Sequence, residues 1–141
     1  MTLKFNIPGE PCAQGRPRFA VFHGHAVAYD PAKSKNYKSF VKMLAMAAMD
    51  EQEWKYTELP LRIAICAWES IPKSKTKKFR QDALEGKEFP TVKPDLDNVA
   101  KTIMDALSGV VYKDDKQIVD LIVKKRYTDQ EPHVVVRIEV L

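Results

Sequence analysis

Two pairs of aspartates form the densest group of side chains that could do chemistry. Asp95 and Asp97 lie at the start of one predicted helix, and Asp114 and Asp115 follow that helix. Carboxylates suit Mg²⁺, which prefers oxygen ligands and is usually fixed by one or two carboxylates together with substrate phosphate. One aspartate at a helix start is most simply an N-cap. Because four acids exceed what capping requires, we expect them to bind a divalent cation.

The two pairs can meet only if the chain turns back after the helix. A helix of about thirteen residues, rising ~1.5 Å per residue, separates its ends by roughly 20 Å. The connection from Gly109 to Asp115 is long enough to return along the helix. A shared metal site is therefore possible within one chain.

A lysine lies on the same predicted helix face as Asp97. Lys101 follows Asp97 by four residues and could reach that carboxylate or a phosphate oxygen beside it. The simpler alternative is a surface ion pair, which contributes only ~0.3–0.5 kcal/mol. Asp105, four residues further, is more simply a structural partner of Lys101 than a ligand. Asp120, in a predicted strand, fits a role near the site and an exposed acid equally well.

Positive charge is concentrated before the acidic segments. The formal net charge is +4, with sixteen Lys and Arg against ten Asp and Glu up to Lys93, and seven against nine from Pro94 onward. A basic surface around a cation site suits a partner that carries phosphates. The candidate phosphate contacts are Arg16 and Arg18, in a Gly- and Pro-rich arm, and Lys73, Lys75, Lys77, Lys78 and Arg80, for which a solvated helix face is an equally good explanation.

Composition narrows the class of protein. The 141 residues, 45% hydrophobic and 30% charged, suit a single domain over residues 1–141 with its own core. The longest apolar runs reach about a third of the ~20 residues that cross a bilayer, so we expect no membrane span. The N-terminus lacks the pattern of a secretory signal, which predicts a cytoplasmic protein. Cys12 and Cys66 have no metal-ligand spacing, so two reduced thiols are expected.

Hydrophobic periodicity predicts the elements that must position these side chains. A strand over 61–68 has two fairly apolar faces, which favours a central position in a sheet. The last two strands, joined by a short loop, are expected to pair as an antiparallel hairpin. The predicted elements are strands over 1–7, 61–68, 118–127 and 133–141, a short hairpin over 19–29, and helices over 30–53, up to Gly86 and over 95–109.

Three segments together resemble the RusA family of Holliday junction resolvases. They are Lys93-Pro-Asp-Leu-Asp-Asn-Val-Ala-Lys101, Asp105-Ala-Leu-Ser-Gly109 and Tyr112-Lys-Asp-Asp-Lys-Gln-Ile-Val119, with weaker similarity over 15–19 and 72–84. The resemblance implies an α+β fold with a mixed or antiparallel sheet packed with two to three helices. It also implies a homodimer, Mg²⁺-dependent endonuclease action on four-way DNA junctions in recombination and repair, and a phage or prophage setting for many members.

The resemblance also implies roles for particular residues. The catalytic and metal-binding aspartates of the family fall on Asp95, Asp97 and Asp115, and its essential lysine falls on Lys101. Asp114 is then a neighbour of the site. A run of arginines precedes the two aspartates in the best-known form of the family, whereas here only Lys93 does. The DNA contacts are therefore expected at Lys93, in the basic run from Lys73 to Arg80, and at Arg16 and Arg18.

Two other functions fit the same residues. A non-catalytic DNA-junction-binding protein could use its aspartates only to cap and brace helices. A metal-dependent nucleotide phosphohydrolase could use them on a small substrate, although the basic arm argues against it. Incubation with branched and linear DNA, with and without Mg²⁺, separates the three.

Overall fold

The computed structural model describes the backbone of residues 1–12, 18–22, 24–29 and 32–141, and the side chains of 1–12 and 35–141. The predicted helix start at residues 30 and 31 lies outside these ranges. Among the described residues, no helix is long and apolar enough to cross a membrane. In chain order the elements are β1 (Thr2–Pro8), β2 (Arg18–Phe22), β3 (His25–Tyr29), α1 (Ala32–Glu51), β4 (Leu61–Ser70), α2 (Lys77–Leu84), α3 (Leu96–Leu107), a 3₁₀ turn (Asp115–Gln117), β5 (Ile118–Thr128) and β6 (His133–Val140).

Four of the strands form one mixed sheet in the order β1-β6-β4-β5. β6 runs antiparallel to both β1 and β4, whereas β4 and β5 are parallel. β2 and β3 pair separately as an antiparallel ribbon. The expected α+β fold with a mixed sheet in a single domain is confirmed.

The predicted hairpin of the last two strands is wrong, because β4 lies between them. β4 buries Leu61, Ile63, Ile65 and Ala67 on one face, and its other face is half-buried. A strand of this kind is best placed where neighbours on both sides satisfy its backbone N–H and C=O groups. β5 takes an edge instead, where its charged residues at 124–126 discourage pairing with other chains. The central position expected for β4 is confirmed.

The core lies between one face of the sheet and the helices α1 and α3. Each large aliphatic side chain buried there stabilises the fold by about 1.5–3 kcal/mol. Because this packing fixes the apolar stripe of α3, the opposite side of that helix faces solvent. The buried apolar residues of these two helices are Val41, Ala45 and Ala48 of α1, and Val99, Ala100, Ile103, Ala106 and Leu107 of α3.

The short helix α2 packs against the C-terminal end of β5. Thr76 is its N-cap, and the hydroxyl oxygen accepts a hydrogen bond from the Phe79 amide at 3.1 Å. The Phe79 ring meets the Tyr127 ring edge-on, with 5.8 Å between centroids. Gly86, expected to end this helix, has a φ of 79°, a left-handed value that favours glycine.

Candidate active site

Asp95 and Asp97 lie exposed at the N-terminus of α3. Asp95 is the N-cap residue, with φ and ψ of −70° and 147°, but its carboxylate accepts no capping hydrogen bond. Asp97 lies in the first helical turn, where the helix dipole favours a negative charge. Capping therefore does not account for the Asp95 carboxylate, and both acids are open to a ligand from solvent.

The segment that leads into Asp95 is attached to the sheet by Lys125. The ammonium of this β5 residue donates to the carbonyl oxygens of Val92 and Pro94 at 2.8 and 3.2 Å. The N-terminus of α3 therefore lies beside the C-terminal half of β5.

The solvent-facing side of α3 carries a row of alternating charge at four-residue spacing: Asp97, Lys101 and Asp105. Asp105 forms an ion pair with Lys38 of α1 at 3.5 Å, so the expected pair with Lys101 is not formed. Within the part of the chain that the structure describes, the Lys101 ammonium makes no ion pair and is available to a phosphate oxygen.

Asp120 takes no part in this site. Its carboxylate forms an ion pair with Arg62 of the neighbouring strand at 2.9 Å. Neither alternative foresaw this partner: Asp120 is a half-exposed acid that pairs with a neighbouring strand.

Asp114 organises the turn before β5. One carboxylate oxygen accepts a hydrogen bond from the Lys116 amide at 2.9 Å, while the Gln117 side chain accepts from the Asp114 amide at 2.8 Å. This is a capping box around the 3₁₀ turn. Gln117 also donates to the carbonyl oxygens of Thr57 and Leu59, both at 3.0 Å, which fixes the turn on the preceding loop.

Asp115 points toward the C-terminal half of α3. Its Oδ1 lies 3.1 Å from the hydroxyl of Tyr112, a fully buried residue. The same hydroxyl lies 2.9 Å from the carbonyl oxygen of Met104 and shares its single proton between the two acceptors. Tyr112 thus joins the carboxylate to the main chain of α3.

Negative charge accumulates around Asp115. Burial raises the pKa of its carboxyl group above the ordinary value, the Tyr112 hydrogen bond lowers it, and the charges of Asp105 and Asp114 raise it further. The ionised form is therefore disfavoured in the absence of a counter-charge. A cation bound nearby would relieve this penalty.

The two aspartate groups lie toward opposite ends of α3. The chain does turn back after Gly109, but it reaches only as far as Met104. Met104 lies seven residues beyond Asp97, which is roughly 10 Å along the helix axis. The described residues accordingly contain no group of three or more acidic, histidine or cysteine side chains placed to hold a metal ion.

The positions along β5 also keep the two aspartate groups apart. Asp115 begins the 3₁₀ turn that leads into β5 at Ile118, whereas Lys125 bonds the carbonyl oxygen of Pro94, the residue before Asp95. Seven residues of strand separate Ile118 from Lys125, about 23 Å at the usual rise. One chain therefore does not bring Asp115 to the other two aspartates.

The chemistry of the donors suits a hard divalent cation. All three predicted ligands are carboxylates, as Mg²⁺ prefers. The Asp95 carboxylate makes no capping hydrogen bond, and the negative charges of Asp105 and Asp114 act on Asp115. The three carboxylates are therefore ligands of the type that Mg²⁺ prefers. Because one chain does not bring them together, a site with all three would need a second copy of the chain.

The predicted basic residues divide into two groups. Lys75 lies over the Phe79 ring at 4.8 Å, and Arg80 donates to the carbonyl oxygen of Pro72 at 3.2 Å, so both also hold local structure. The exposed remainder is Lys73, Lys77, Lys78 and Lys93.

The basic run and Asp95 lie at the same end of the sheet, where β4 and β5 both terminate. β4 and β5 are parallel, so their C-terminal ends meet at the same edge. The basic run follows β4, and the segment before Asp95 lies against the C-terminal half of β5. A nucleic-acid backbone bound at Asp95 would therefore lie near the exposed lysines of the basic run.

The predicted DNA contacts of the two arginines in the arm fall on side chains outside the described residues. Arg16 lies outside the described residues, and Arg18 is described only by its backbone, as the first residue of β2. Their contact with DNA stays a prediction.

Sequence reasoning missed two residues that shape the site. Lys125 occupies the row of β5 that also holds Leu121, Val123 and Tyr127, and a charge in an apolar row indicates a specific partner. Tyr112 is buried, and a buried tyrosine usually has a hydrogen-bond partner for its hydroxyl. The pattern around Lys125 was present in the sequence without its partner, whereas the burial of Tyr112 is known only from the structure.

Known proteins place these features in one family. The sequence matches the family Endodeoxyribonuclease RusA over residues 8–139, which includes both aspartate groups and the strands β4, β5 and nearly all of β6. It is also 41% identical over 138 residues to the uncharacterized protein YqaN of Bacillus subtilis (strain 168), with 96% of this chain and 94% of that protein covered. The chain belongs to the RusA family of endodeoxyribonucleases, the Holliday junction resolvases that its motifs resemble.

Proposed function

We propose that this protein is a Mg²⁺-dependent, structure-specific endodeoxyribonuclease that resolves four-way DNA junctions by paired nicks, in recombination or repair. Its family supports the nuclease reaction. The observation that carries the assignment is the exposed pair Asp95 and Asp97 at the sheet edge where the basic run also lies. Open carboxylates on a basic edge suit a polymeric phosphate better than a small nucleotide, which needs an enclosing pocket.

The metal would be held by Asp95, Asp97 and Asp115. When bound, it supplies a water of lowered pKa and neutralises charge at the scissile phosphate. Lys101, on the face of α3 that carries Asp97, would donate to the phosphate oxygens as negative charge develops there. Loss of one such donor typically costs about 2.7–4 kcal/mol of transition-state stabilisation. The expected products have 5′-phosphate and 3′-hydroxyl ends.

We infer that each complete site uses two copies of the chain. Within one chain, Asp115 lies toward the opposite end of α3 from Asp95 and Asp97. A two-fold homodimer presents each surface twice, so Asp115 of one copy can join the aspartate pair of the other. Such a dimer has two equivalent sites, which suits paired nicks in opposite strands of a symmetric junction.

Cleavage of a synthetic four-way junction tests the proposed reaction. Each strand is 5′-labelled in turn, and a linear duplex of the same sequence serves as the second substrate. Wild type should nick the junction symmetrically with Mg²⁺ and not with EDTA, and Asp97→Asn should lose at least a hundredfold in rate. Asp50→Asn, which removes an exposed acid on α1, is the matched control and should cleave normally.

Two outcomes would contradict the proposal. Tight junction binding without nicking in any divalent metal would identify a non-catalytic binding protein. Hydrolysis of nucleoside triphosphates without junction cleavage would identify a phosphohydrolase.

Subunit mixing tests the shared site. Asp97→Asn and Asp115→Asn should each be inactive alone. In a mixed dimer with shared sites, one site carries both substitutions and the other carries none, so nicking of one strand returns. If every site lay within one chain, each site of the mixed dimer would carry one substitution, and no activity would return.

A further inference from the structure

Lys125 lies on the side of β5 that faces the helices. It is aligned with Ala67 of β4, a fully buried residue, and is itself half-buried. Its ammonium bonds two carbonyl oxygens of the segment between α2 and α3, those of Val92 at 2.8 Å and Pro94 at 3.2 Å. A lysine turned inward from an edge strand toward main-chain oxygens indicates a specific structural task.

We propose that Lys125 is a positioning residue for the metal-binding pair Asp95 and Asp97. This inference rests on the proposed function, which assigns the metal to those carboxylates. The ammonium fixes the main chain that enters α3, and so fixes where both carboxylates stand relative to the sheet.

The bonded carbonyl of Pro94 belongs to the peptide group that also contains the Asp95 amide. Because a peptide group is planar and rigid, a bond to that oxygen restrains Asp95 from its N-terminal side. On the other side, the Asp95 carbonyl oxygen accepts the first hydrogen bond of α3 from the Val99 amide at 3.1 Å. The Asp95 main chain is thus held from both directions, while its carboxylate makes no capping bond and is left for a ligand.

A buried acid lies close to Lys125. Glu69 of β4 points to the same side of the sheet, and its Oε2 has no hydrogen-bond partner among the described residues. The positive charge of Lys125 partly offsets the effect of burial on the pKa of Glu69. The ammonium therefore acts on a buried carboxylate as well as on the two carbonyl oxygens that it bonds.

Groups that orient metal ligands typically change metal affinity or activity by about 10–100-fold when they are removed. Lys125→Met keeps the apolar stem and removes the donor. In junction cleavage it should raise the Mg²⁺ concentration needed for half-maximal rate by at least about tenfold, with junction affinity measured in EDTA unchanged. Lys125→Arg keeps a charged donor and should restore most of the difference.

Lys124→Met is the matched control. Lys124 is the preceding residue of the same strand, so its side chain points to the opposite face of the sheet and is exposed. The control loses the same charge from β5 without touching the segment before Asp95. Its Mg²⁺ dependence should equal that of wild type.

Hydrogen exchange of the metal-free proteins gives a readout that does not depend on cleavage. The Val99 amide, which donates to the Asp95 carbonyl oxygen, should exchange faster in Lys125→Met than in wild type, Lys124→Met or Lys125→Arg. Should Lys125→Met fail to fold, Lys125→Gln replaces it, since a neutral donor of similar length should give an intermediate change in both measurements.

The outcomes distinguish a failure of the proposed nuclease function from a failure of the positioning role of Lys125. A wild type that cleaves no junction in any divalent metal overturns the proposed function, while the exchange rates still report whether Lys125 restrains the segment. A wild type that cleaves, with unchanged Mg²⁺ dependence and exchange in Lys125→Met, or in Lys125→Gln where that variant replaces it, overturns the positioning role alone.

Discussion

The Tyr112 hydroxyl, 3.1 Å from Oδ1 of Asp115, ties a candidate metal ligand to the main chain of α3. The same hydroxyl reaches the carbonyl oxygen of Met104 at 2.9 Å, and the ring is fully buried. A residue of the hydrophobic core therefore orients the Asp115 carboxylate. A carboxylate held in this way has a fixed direction before any cation or DNA arrives.

Tyr112→Phe keeps the ring and removes this hydrogen bond. The free energy of unfolding should fall by about 0.5–1.5 kcal/mol, as for a typical hydrogen bond. Because the hydroxyl lowers the pKa of Asp115, its loss raises that pKa, and the acid limb of the pH–rate profile for junction cleavage should move to higher pH. Urea denaturation and the pH profile measure the two effects. Tyr56→Phe, at an exposed tyrosine, should change neither. An unmoved acid limb would show that Asp115 does not depend on Tyr112.

Asp115→Asn should separate stability from activity. The folded-state pKa of Asp115 is raised, chiefly by burial, so the folded state binds its proton more tightly than the unfolded chain does. Stability then falls as pH rises from the ordinary carboxyl pKa of about 3.9 through the raised value. The variant should therefore unfold at a higher temperature than metal-free wild type at pH 7, with a gain that shrinks toward pH 3, and should not cleave junctions.

The adjacent acid provides the control for this variant. Asp114→Asn keeps a side-chain acceptor for the turn, and asparagine is as good a cap as aspartate. It should retain junction cleavage to within a few-fold. Loss of cleavage equal to that of Asp115→Asn would move the catalytic role toward Asp114.

Glu69→Gln should stabilise the protein at neutral pH. Burial raises the pKa of Glu69, Lys125 lowers it and Glu10 raises it, with burial the largest effect. Stability contributed by this group is therefore lost as pH rises above the ordinary glutamate value, and the neutral amide avoids that loss. Thermal unfolding between pH 4 and 7 should show a flatter dependence for the variant. Glu58→Gln, an exposed acid paired with Lys113 at 3.4 Å, should leave the dependence unchanged, and equal slopes for both variants would contradict the assignment.

The exposed lysines of α2 should set part of the salt dependence of DNA binding. Lys77 and Lys78 are exposed, in contrast to Lys75 and Arg80, which hold Phe79 and Pro72. Their joint replacement by alanine should weaken junction binding in EDTA. The plot of log affinity against log salt should become shallower by about 0.9 for each phosphate that the protein no longer neutralises.

A second double variant controls for net charge. Lys42 and Lys55 are exposed outside the basic run, so their replacement by alanine removes the same charge and leaves the basic run intact. Equal slopes for the two double variants would exclude α2 from the DNA interface.

The sequence was informative where local periodicity decides the structure. The apolar stripe of α3 and the alternation in β4 predicted a helix with an exposed acidic start and a central strand, and both are present. The pairing of β5 with β6 could not be predicted, because insertion of β4 between them depends on contacts across more than fifty residues. Proximity in sequence favoured the hairpin, and the burial of β4 outweighed it.

The candidate site shows the same limit. Residue types led to the prediction of a metal site at Asp95, Asp97 and Asp115, but they could not show that the chain after Gly109 brings Asp115 to Tyr112. Lys125 was missed because its acceptors are carbonyl oxygens more than thirty residues away, and side-chain patterns carry no record of them.

Every pairing in the four-stranded sheet joins an early strand to one that begins at or after Ile118: β1 to β6, and β4 to both β5 and β6. Synthesis proceeds from the N-terminus, so no two strands of this sheet can pair until residues from Ile118 onward have left the ribosome. Such long-range pairing slows folding, and until it occurs the apolar face of β4 is open to neighbouring nascent chains. Loss of the last two strands would leave the sheet without a single partnered strand.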